Sequence, residues 1–277
     1  MNIFLKLTFF ISKTIAKTPL YKGLNSFIFS HFSHIKKSGL AAGLKVKGGI
    51  GLMEKYYRPG LGENFLKQLN LEGKVVYDIG AHKGIYTLFF CKKVGLKGWV
   101  YSFEPNPKNT NLIKEHLQIN GFSNVTIYSF ALGDEEIEVN LQIPFIDDSR
   151  ASIVKEKYSM INQNEKCNYI RVKVYPIDDV IKKNNLKIPD FLKIDVEGAE
   201  YDVLKGALNI IKNNKPDIYL EIHGKGKEDW VSNARRIIEF LTRNGYKIKG
   251  ILNEQILTPV SLNSIIYESG PIFCYAK

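Results

Sequence analysis

The stretch Val-Val-Tyr-Asp-Ile-Gly-Ala-His-Lys-Gly at residues 75–84 decides the fold. Its apolar first half is typical of a short buried strand, and Gly80 and Gly84 allow a tight turn into a helix. Asp78 falls near the carboxyl end of this strand, where open α/β sheets bind their ligands. The spacing D-x-G-x-x-x-G differs from the G-x-G-x-x-G pattern of pyrophosphate-binding loops. It therefore favours a phosphate-free ligand with an ammonium group that a carboxylate can meet.

Short apolar runs continue to alternate with helical periodicity after this stretch, which indicates βαβ units around a parallel sheet. The sequence predicts an α/β fold with a mostly parallel central sheet, helices on both faces and an antiparallel C-terminal strand. Predicted strands cover residues 75–79, 99–103, 125–129, 191–195, 218–222, 246–251 and 272–275, and predicted helices cover residues 86–94, 107–120 and 230–244. Alternation over residues 135–144 predicts an antiparallel strand, and the polar stretch 147–168 predicts a long surface loop.

Two further positions indicate a nucleoside site. Glu104 ends the second predicted strand, where a carboxylate can accept hydrogen bonds from both ribose hydroxyls. Ala131 and Leu132 follow the third strand, where small apolar side chains can flank a base. NAD sites and S-adenosylmethionine (AdoMet) sites share the carboxylate, so these residues indicate a nucleoside without distinguishing between the two.

A second group of polar residues lies at two later strand ends. Asp195, Glu197 and Glu200 follow one strand, and His223 follows another. Any of them can hold a substrate hydroxyl or act as a general base, and Glu200 can also neutralise a helix start. No second set of ligands with metal spacing accompanies them, so we expect no metal.

Composition and charge separate an N-terminal segment from the rest. The chain has 277 residues and a net charge of +11, and 44% of its residues are hydrophobic, as in soluble globular proteins. Residues 1–53 carry eight lysines and no acidic residue, so they supply most of that charge. We expect a basic, apolar helical extension over residues 1–55 and a catalytic domain over residues 56–277.

The N-terminal extension is too often interrupted by lysine to span a membrane, and it lacks a signal-peptide cleavage pattern. It either caps the domain or lies on an anionic membrane surface. The three cysteines are far apart, which indicates a reducing compartment. We therefore expect a cytoplasmic protein, with peripheral contact at the inner face of the membrane as the alternative for the extension.

Taken together, these segments resemble the FkbM family of methyltransferases over about two hundred residues, from near residue 74 to the C-terminus. The matching motifs are VYDIGAHKGIYTL (76–88), SFEPNP (102–107), ALGD (131–134), IDDV (177–180), FLKIDVEGAEYDVLKG (191–206) and YLEIHG (219–224). The KIDVEGAE block is the most specific of them. The N-terminal fifty residues lie outside this match.

The resemblance implies a Rossmann-like class I methyltransferase fold and an AdoMet-dependent enzyme (EC 2.1.1.-). The typical reaction is O-methylation of a hydroxyl on a sugar, glycan or small metabolite. By motif, the methionine end of AdoMet meets residues around the first loop, the ribose meets Glu104, and the adenine meets Ala131 and Leu132. The implied cofactor-binding set is Asp78, Gly80, Ala81, Gly84, Tyr86, Glu104, Ala131 and Leu132. Asp195, Glu197 and His223 are the candidate catalytic residues.

Three other interpretations stay open at this point. A nicotinamide-dependent oxidoreductase shares Glu104 but requires the tighter glycine pattern. A nucleic-acid methyltransferase fits the net positive charge, yet the basic residues concentrate in the extension and the carboxylate-rich strand ends repel phosphates. We therefore expect no nucleic-acid partner. A non-enzymatic, membrane-associated protein that keeps the nucleoside pocket is the third. The sequence does not indicate an oligomeric state.

Overall fold

The computed structural model describes residues 33–47, 60–145, 148–154, 166–252, 254–258 and 271–276. The helices are α1 (Leu61–Gln68), α2 (Ile85–Val94), α3 (Pro107–Asn120), α4 (Ile177–Asn184), α5 (Glu200–Gly206), α6 (Leu208–Asn213) and α7 (Lys227–Arg243). The strands are β1 (His34–Ile35), β2 (Lys45–Val46), β3 (Val75–Ile79), β4 (Trp99–Phe103), β5 (Val125–Tyr128), β6 (Ala131–Gly133), β7 (Ile137–Pro144), β8 (Ser152–Val154), β9 (Cys167–Pro176), β10 (Phe191–Ile194), β11 (Asp217–Glu221), β12 (Tyr246–Gly250), β13 (Ile256–Leu257) and β14 (Pro271–Ala276).

The central sheet has eight strands in the order β13-β12-β14-β11-β10-β3-β4-β5. The five strands from β11 to β5 pair in parallel, whereas β14 pairs antiparallel with both β11 and β12. This confirms the predicted parallel sheet with an antiparallel C-terminal strand. Because all five parallel strands end at the same edge, the loops that follow them lie together.

Both faces of the sheet are covered, as predicted. Along β3, Val76 packs in one apolar cluster with Leu88 of α2 and Ile113 of α3. Tyr77 and Ile79 point to the opposite cluster, which includes residues of α4, α5 and α7. Side chains alternate between faces along a strand, so an almost entirely apolar strand needs helices on both sides.

Predicted helix boundaries hold where the capping residues are clear. Asn106 caps α3 through its side chain, which accepts a hydrogen bond from Lys108 N. Pro107 is the first residue of that helix, and Gly121 ends it in the left-handed conformation. These are the residue types that such positions favour. The prediction of this helix from sequence is therefore confirmed at both ends.

A second sheet of four strands, in the order β6-β9-β7-β8, packs beside the central one. The antiparallel strand predicted at residues 135–144 is β7, which pairs with β9. The predicted surface loop at residues 147–168 is wrong in part, because a 3₁₀ turn at Asp148–Arg150, strand β8 and the start of β9 lie within it. Residues 147 and 155–165 of this predicted loop lie outside the described residues. The apolar pattern of β8 is too short to predict a strand from the sequence, and β8 is stabilised by its pairing with β7.

Part of the expected N-terminal extension is described. Residues 33–47 hold a two-stranded hairpin of β1 and β2 rather than a helix. This hairpin contacts α3, where His116 accepts a hydrogen bond from Lys47 N at 2.9 Å and Asn120 bonds both backbone groups of Lys45. Residues 1–32 and 48–55 of the expected extension, and residues 56–59 of the expected catalytic domain, lie outside the described residues. Among the helices that the structure describes, none is long and apolar enough to cross a membrane.

Candidate active site

A cavity of about 320 Å³ opens at the carboxyl ends of the central parallel strands. Its apolar lining consists of Phe103, Phe130, Ala131, Leu132, Leu141 and Ile153. Its polar lining includes Tyr86, Lys193, Asp195, Glu197, Glu221 and His223. Gly80, Ala81 and Glu104 also contribute to the wall. A small cavity with apolar walls and a few convergent polar groups is typical of a ligand site.

Asp78 lies beneath this cavity and does not line its wall. Its side chain is fully buried. One oxygen accepts a hydrogen bond from Thr87 at 2.7 Å, and the other lies 3.3 Å from Lys193 Nζ. The ammonium group that Asp78 meets therefore belongs to Lys193, which is a different partner from the ligand ammonium expected from sequence. Strand register places the two side chains side by side, because Lys193 of β10 pairs with Asp78 of β3.

Lys193 connects the buried carboxylate to the cavity. Its ammonium group donates a hydrogen bond to Gly80 O at 2.9 Å, lies 3.5 Å from Asp195, and lies 4.6 Å from the centre of the Tyr86 ring. Burial alone lowers the pKa of this lysine, but Asp78, Asp195 and Glu221 outweigh burial and raise it. Lys193 is therefore positively charged and holds the first loop against the end of β10.

The first loop has a backbone conformation that glycine favours. Gly80 has φ 77°, and Gly84 caps α2 with φ 83°. Gly84 is not part of the cavity wall, and a Cβ there would lie 2.8 Å from the Ile113 side chain. Gly84 thus lets α2 and α3 approach each other, whereas Gly80 and Ala81 contribute backbone to the wall.

Glu104 is fixed at the end of β4 by three donors. His82 N, Asn106 N and Asn109 Nδ2 bond to its carboxylate at 2.8, 2.9 and 3.2 Å. Burial raises the pKa of Glu104, and these hydrogen bonds oppose that effect. The carboxylate keeps one side toward the cavity, where one lone pair of Oε2 remains for a hydroxyl donor.

Asp195, Glu197 and His223 meet in the polar lining of the cavity, as their positions after neighbouring strands predict. His223 Nε2 lies 3.7 Å from Asp195 Oδ1 and 3.6 Å from Glu197 Oε1. His223 Nδ1 lies 2.8 Å from Glu200 Oε1 on the other side of the ring. Glu200 is fully buried and does not line the cavity. It therefore supports the site from behind.

The pKa shifts of Glu197 and His223 give these two groups different charge states at neutral pH. Burial, with Asp195 and Glu200 nearby, raises the pKa of Glu197 to about 7 even though His223 opposes this. Burial lowers the pKa of His223, but Glu200, Glu197 and Asp195 raise it to about 10. At neutral pH the imidazole is therefore protonated, while Glu197 is close to half-ionised.

Asp195, Glu197 and His223 can each direct one ligand atom to a common point, since those atoms lie within 4.8 Å of one another. Sequence reasoning expected no metal, and that expectation stays a prediction. The protonated imidazole already places a positive charge between the two carboxylates.

Several residues of the site carry little signal in the sequence. Asn109 holds Glu104, and Asn233 holds Glu200, but each is one of many polar residues in a helix. Asn106 also holds Glu104, whereas the sequence indicates only its role as a helix cap. Leu141 and Ile153 line the cavity from the second sheet. Ile153 lies in the stretch that was predicted as a loop, so only the folded structure places it there.

The fold has a counterpart among solved structures. A crystal structure titled "Methyltransferase FkbM" from Methylobacillus flagellatus KT superposes with a TM-score of 0.50 at 20% identity, over 76% of this chain and 45% of that one. With the sheet order and the position of the cavity, this defines a class I methyltransferase fold, as the sequence predicted.

The family follows from the sequence profile. The profile of the methyltransferase FkbM domain matches residues 78–248, which is more than half of the chain. The chain belongs to the FkbM methyltransferase family. The resemblance stated from its motifs is thereby confirmed.

Curated relatives are more distant. "Methyltransferase 1" of Beauveria bassiana is 27% identical over 47% of this chain. "Hexuronic acid methyltransferase AglP" of Haloferax volcanii is 24% identical over 55% of this chain. The matched part spans 57% of the length of each of these relatives.

Proposed function

We propose that this protein is an AdoMet-dependent O-methyltransferase whose acceptor is a hydroxyl group of a sugar, glycan or small metabolite. The observation that carries the proposal is the cavity, with the fixed carboxylate of Glu104 at its wall and Glu197 beside the protonated His223. Membership of the FkbM family supports methyl transfer, and the relative named as a hexuronic acid methyltransferase supports a sugar-like acceptor.

The donor set of the cavity fits AdoMet. Glu104 offers a lone pair of Oε2 to a ribose hydroxyl, and Phe130, Ala131 and Leu132 offer an apolar surface for the adenine. Gly80, Ala81 and Tyr86 form the wall near Lys193, where they would hold the methionine part. AdoMet, when bound, supplies an electrophilic methyl group on a positively charged sulfur.

The chain contributes proximity and proton transfer. Glu197 would accept the proton as the O–H bond of the acceptor breaks. Bound AdoMet would supply the methyl group to that oxygen, with loss of the bond between methyl carbon and sulfur, so that a neutral thioether leaves. The protonated His223 stabilises the carboxylates of Asp195 and Glu197 and keeps them in place. General-base catalysis of this kind contributes about 10²- to 10⁴-fold to a rate.

The experiment is methyl transfer from radiolabelled AdoMet into fractionated cell extract, with identification of the labelled product. Turnover should rise with pH through about 7 as Glu197 loses its proton. Glu197→Gln should lower turnover by about 10²-fold or more and remove that rise, with AdoMet affinity nearly unchanged. The matched control is Glu228→Gln, at an exposed position in the first turn of α7.

Two results would contradict the proposal. Absence of AdoMet binding in calorimetry would show that AdoMet is not the cofactor. Normal turnover in the Asp195→Ala, Glu197→Ala and His223→Ala variants would show that none of these residues is the general base.

We also propose that methyl transfer needs no metal, because the protonated His223 already supplies the cation that Asp195 and Glu197 require. Dialysis against EDTA should leave turnover within about twofold of its starting value. A loss that added Mg²⁺ restores would assign these three residues to a metal instead.

A further inference from the structure

The buried carboxylate of Glu200 connects three neighbouring segments of the fold. Glu200 is the first residue of α5 and has no exposed surface. Its Oε1 accepts hydrogen bonds from Gly198 N and His223 Nδ1, both at 2.8 Å. Its Oε2 accepts one from Asn233 Nδ2 at 3.0 Å. One side chain thus contacts the loop after β10, the loop after β11, and α7.

These bonds fix the direction of the His223 ring. With Nδ1 directed at Glu200, Nε2 is directed at Asp195 and Glu197. Asn233 Nδ2 also donates to His223 O at 2.9 Å, which holds the backbone of the same residue. The ring therefore has contacts on its buried side that leave its other nitrogen toward the cavity.

The same carboxylate also fixes the turn that carries Glu197. Glu197 has φ 51°, a left-handed conformation that few residues other than glycine adopt. The next peptide donates its N–H to Glu200, because Gly198 N bonds to Oε1. Glu200 thereby compensates for an unfavourable backbone conformation beside the candidate base.

We propose that Glu200 is a positioning residue that aligns Glu197 and His223 against the acceptor hydroxyl. It acts through these two side chains, since it does not line the cavity. The inference rests on the proposed methyltransferase function, and its test includes a measurement that does not depend on methyl transfer.

The groups that face His223 come from four neighbouring parts of the fold, and three of these supply charged side chains. Glu200 faces it from α5, Asp195 and Glu197 from the loop after β10, and Glu221 from β11. From α7 comes the uncharged Asn233. Among the interactions that raise the pKa of His223, those with Glu200 are the largest. Removal of the Glu200 charge should therefore lower that pKa strongly.

The test is Glu200→Gln, which keeps the shape of the side chain and removes its charge. NMR titration of the histidine rings measures the His223 pKa directly, because the chain has five histidines and His223→Gln assigns the signal. In the variant, His223 should titrate well below about 10, in the neutral range. Turnover should fall at least about tenfold, and AdoMet affinity should stay within about threefold. Because loss of the His223 proton should lower turnover at high pH, that decline should occur at lower pH in the variant than in the wild-type protein.

A second variant distinguishes charge from packing. Asn233→Ala removes the donor to Glu200 Oε2 and keeps the carboxylate. His223 should still titrate near about 10, with a smaller loss of turnover than in Glu200→Gln. Glu228→Gln is again the matched control for the loss of one carboxylate.

Unchanged turnover and an unchanged His223 titration in folded Glu200→Gln would overturn the proposal. If that variant does not fold, normal turnover in Asn233→Ala overturns it. Failure of the proposed function is recognised separately: the wild-type protein would then bind no AdoMet, whereas the shift of the His223 titration would still report the Glu200 contact.

Discussion

Lys193 places a fully buried positive charge between the carboxylates of Asp78 and Asp195. Removal of one member of a buried ion pair leaves the partner charge without compensation, which costs about 3–5 kcal/mol. Lys193→Met should therefore lower the free energy of unfolding by about that amount, measured by urea denaturation.

The double variant Lys193→Met, Asp78→Asn provides the control for the previous experiment. Loss of both charges should recover part of the stability, because no unpaired carboxylate remains at Asp78. If the loss of stability in the double variant equals the sum of the losses in Lys193→Met and Asp78→Asn, the two charges do not interact as their 3.3 Å separation indicates.

At the level of elements, the turn between β3 and α2 packs tightly against the end of β10. A Cβ on Gly80 would lie 1.8 Å from the backbone oxygen of Asp195, whereas one on Gly121 has nothing within 4 Å. Both glycines have positive φ, 77° and 69°. Both alanine variants therefore incur roughly 1 kcal/mol of backbone strain, but only Gly80→Ala must also move the end of β10.

We expect Gly80→Ala to lose AdoMet binding by at least about tenfold and to lower the melting temperature. Gly121→Ala should lower the melting temperature slightly and bind AdoMet normally. Calorimetry and thermal denaturation measure both effects. Equal behaviour of the two variants would mean that backbone strain alone, and not the close approach to Asp195, determines the outcome.

The contact between the N-terminal hairpin and α3 depends on an unprotonated histidine. His116 Nε2 accepts a hydrogen bond from Lys47 N, and His116 Nδ1 donates to Lys83 O at 3.0 Å. Burial lowers the pKa of His116, and hydrogen bonding of the ring to the carbonyl oxygens of Lys47 and Lys83 opposes that effect. Because the pKa of His116 is lowered by folding, the unfolded chain binds a proton at this histidine more readily than the folded chain does. The contribution of neutral His116 to stability is therefore complete above about pH 6.5 and is lost as pH falls below that value.

His116→Gln should accordingly flatten the pH dependence of stability. Urea denaturation at about pH 7.5 and about pH 5.5 should show a larger decrease for the wild-type protein than for the variant, whose amide does not titrate. Parallel decreases would assign the acid sensitivity to other groups.

For the whole molecule, AdoMet should act as a stabilising ligand. At 100 times its dissociation constant it should raise the free energy of unfolding by about 2.7 kcal/mol, or the melting temperature by roughly 5–10 °C. NAD should produce no shift, and Glu104→Gln should lose most of the AdoMet effect. A shift with NAD would favour the oxidoreductase alternative.

Much of the molecule could be predicted from local sequence. Apolar runs located the parallel strands, and capping residues such as Asn106 and Gly121 located the ends of α3. Strand ends also located Glu104, Asp195 and His223, because parallel strands end at one edge of the sheet.

Residues that depend on long-range pairing could not be predicted in the same way. The partner of Asp78 is set by the register between β3 and β10, which no local pattern reveals. The role of Glu200 as a buried support depends on α7, which supplies Asn233. Ile153 reaches the cavity only because β8 pairs with β7.

The pairing of β3 with β10 also has a consequence for the order in which the chain acquires its structure. Lys193 and the Gly80 carbonyl that it binds are 113 residues apart in sequence. A nascent chain that has left the ribosome only as far as α3 holds Asp78 in an incomplete sheet, without its cation. Closing such a long loop is entropically slow and must precede the contacts that reward it. The binding pocket is thus a late product of folding, and a chaperone that shields β3 until β10 emerges would protect an exposed apolar edge.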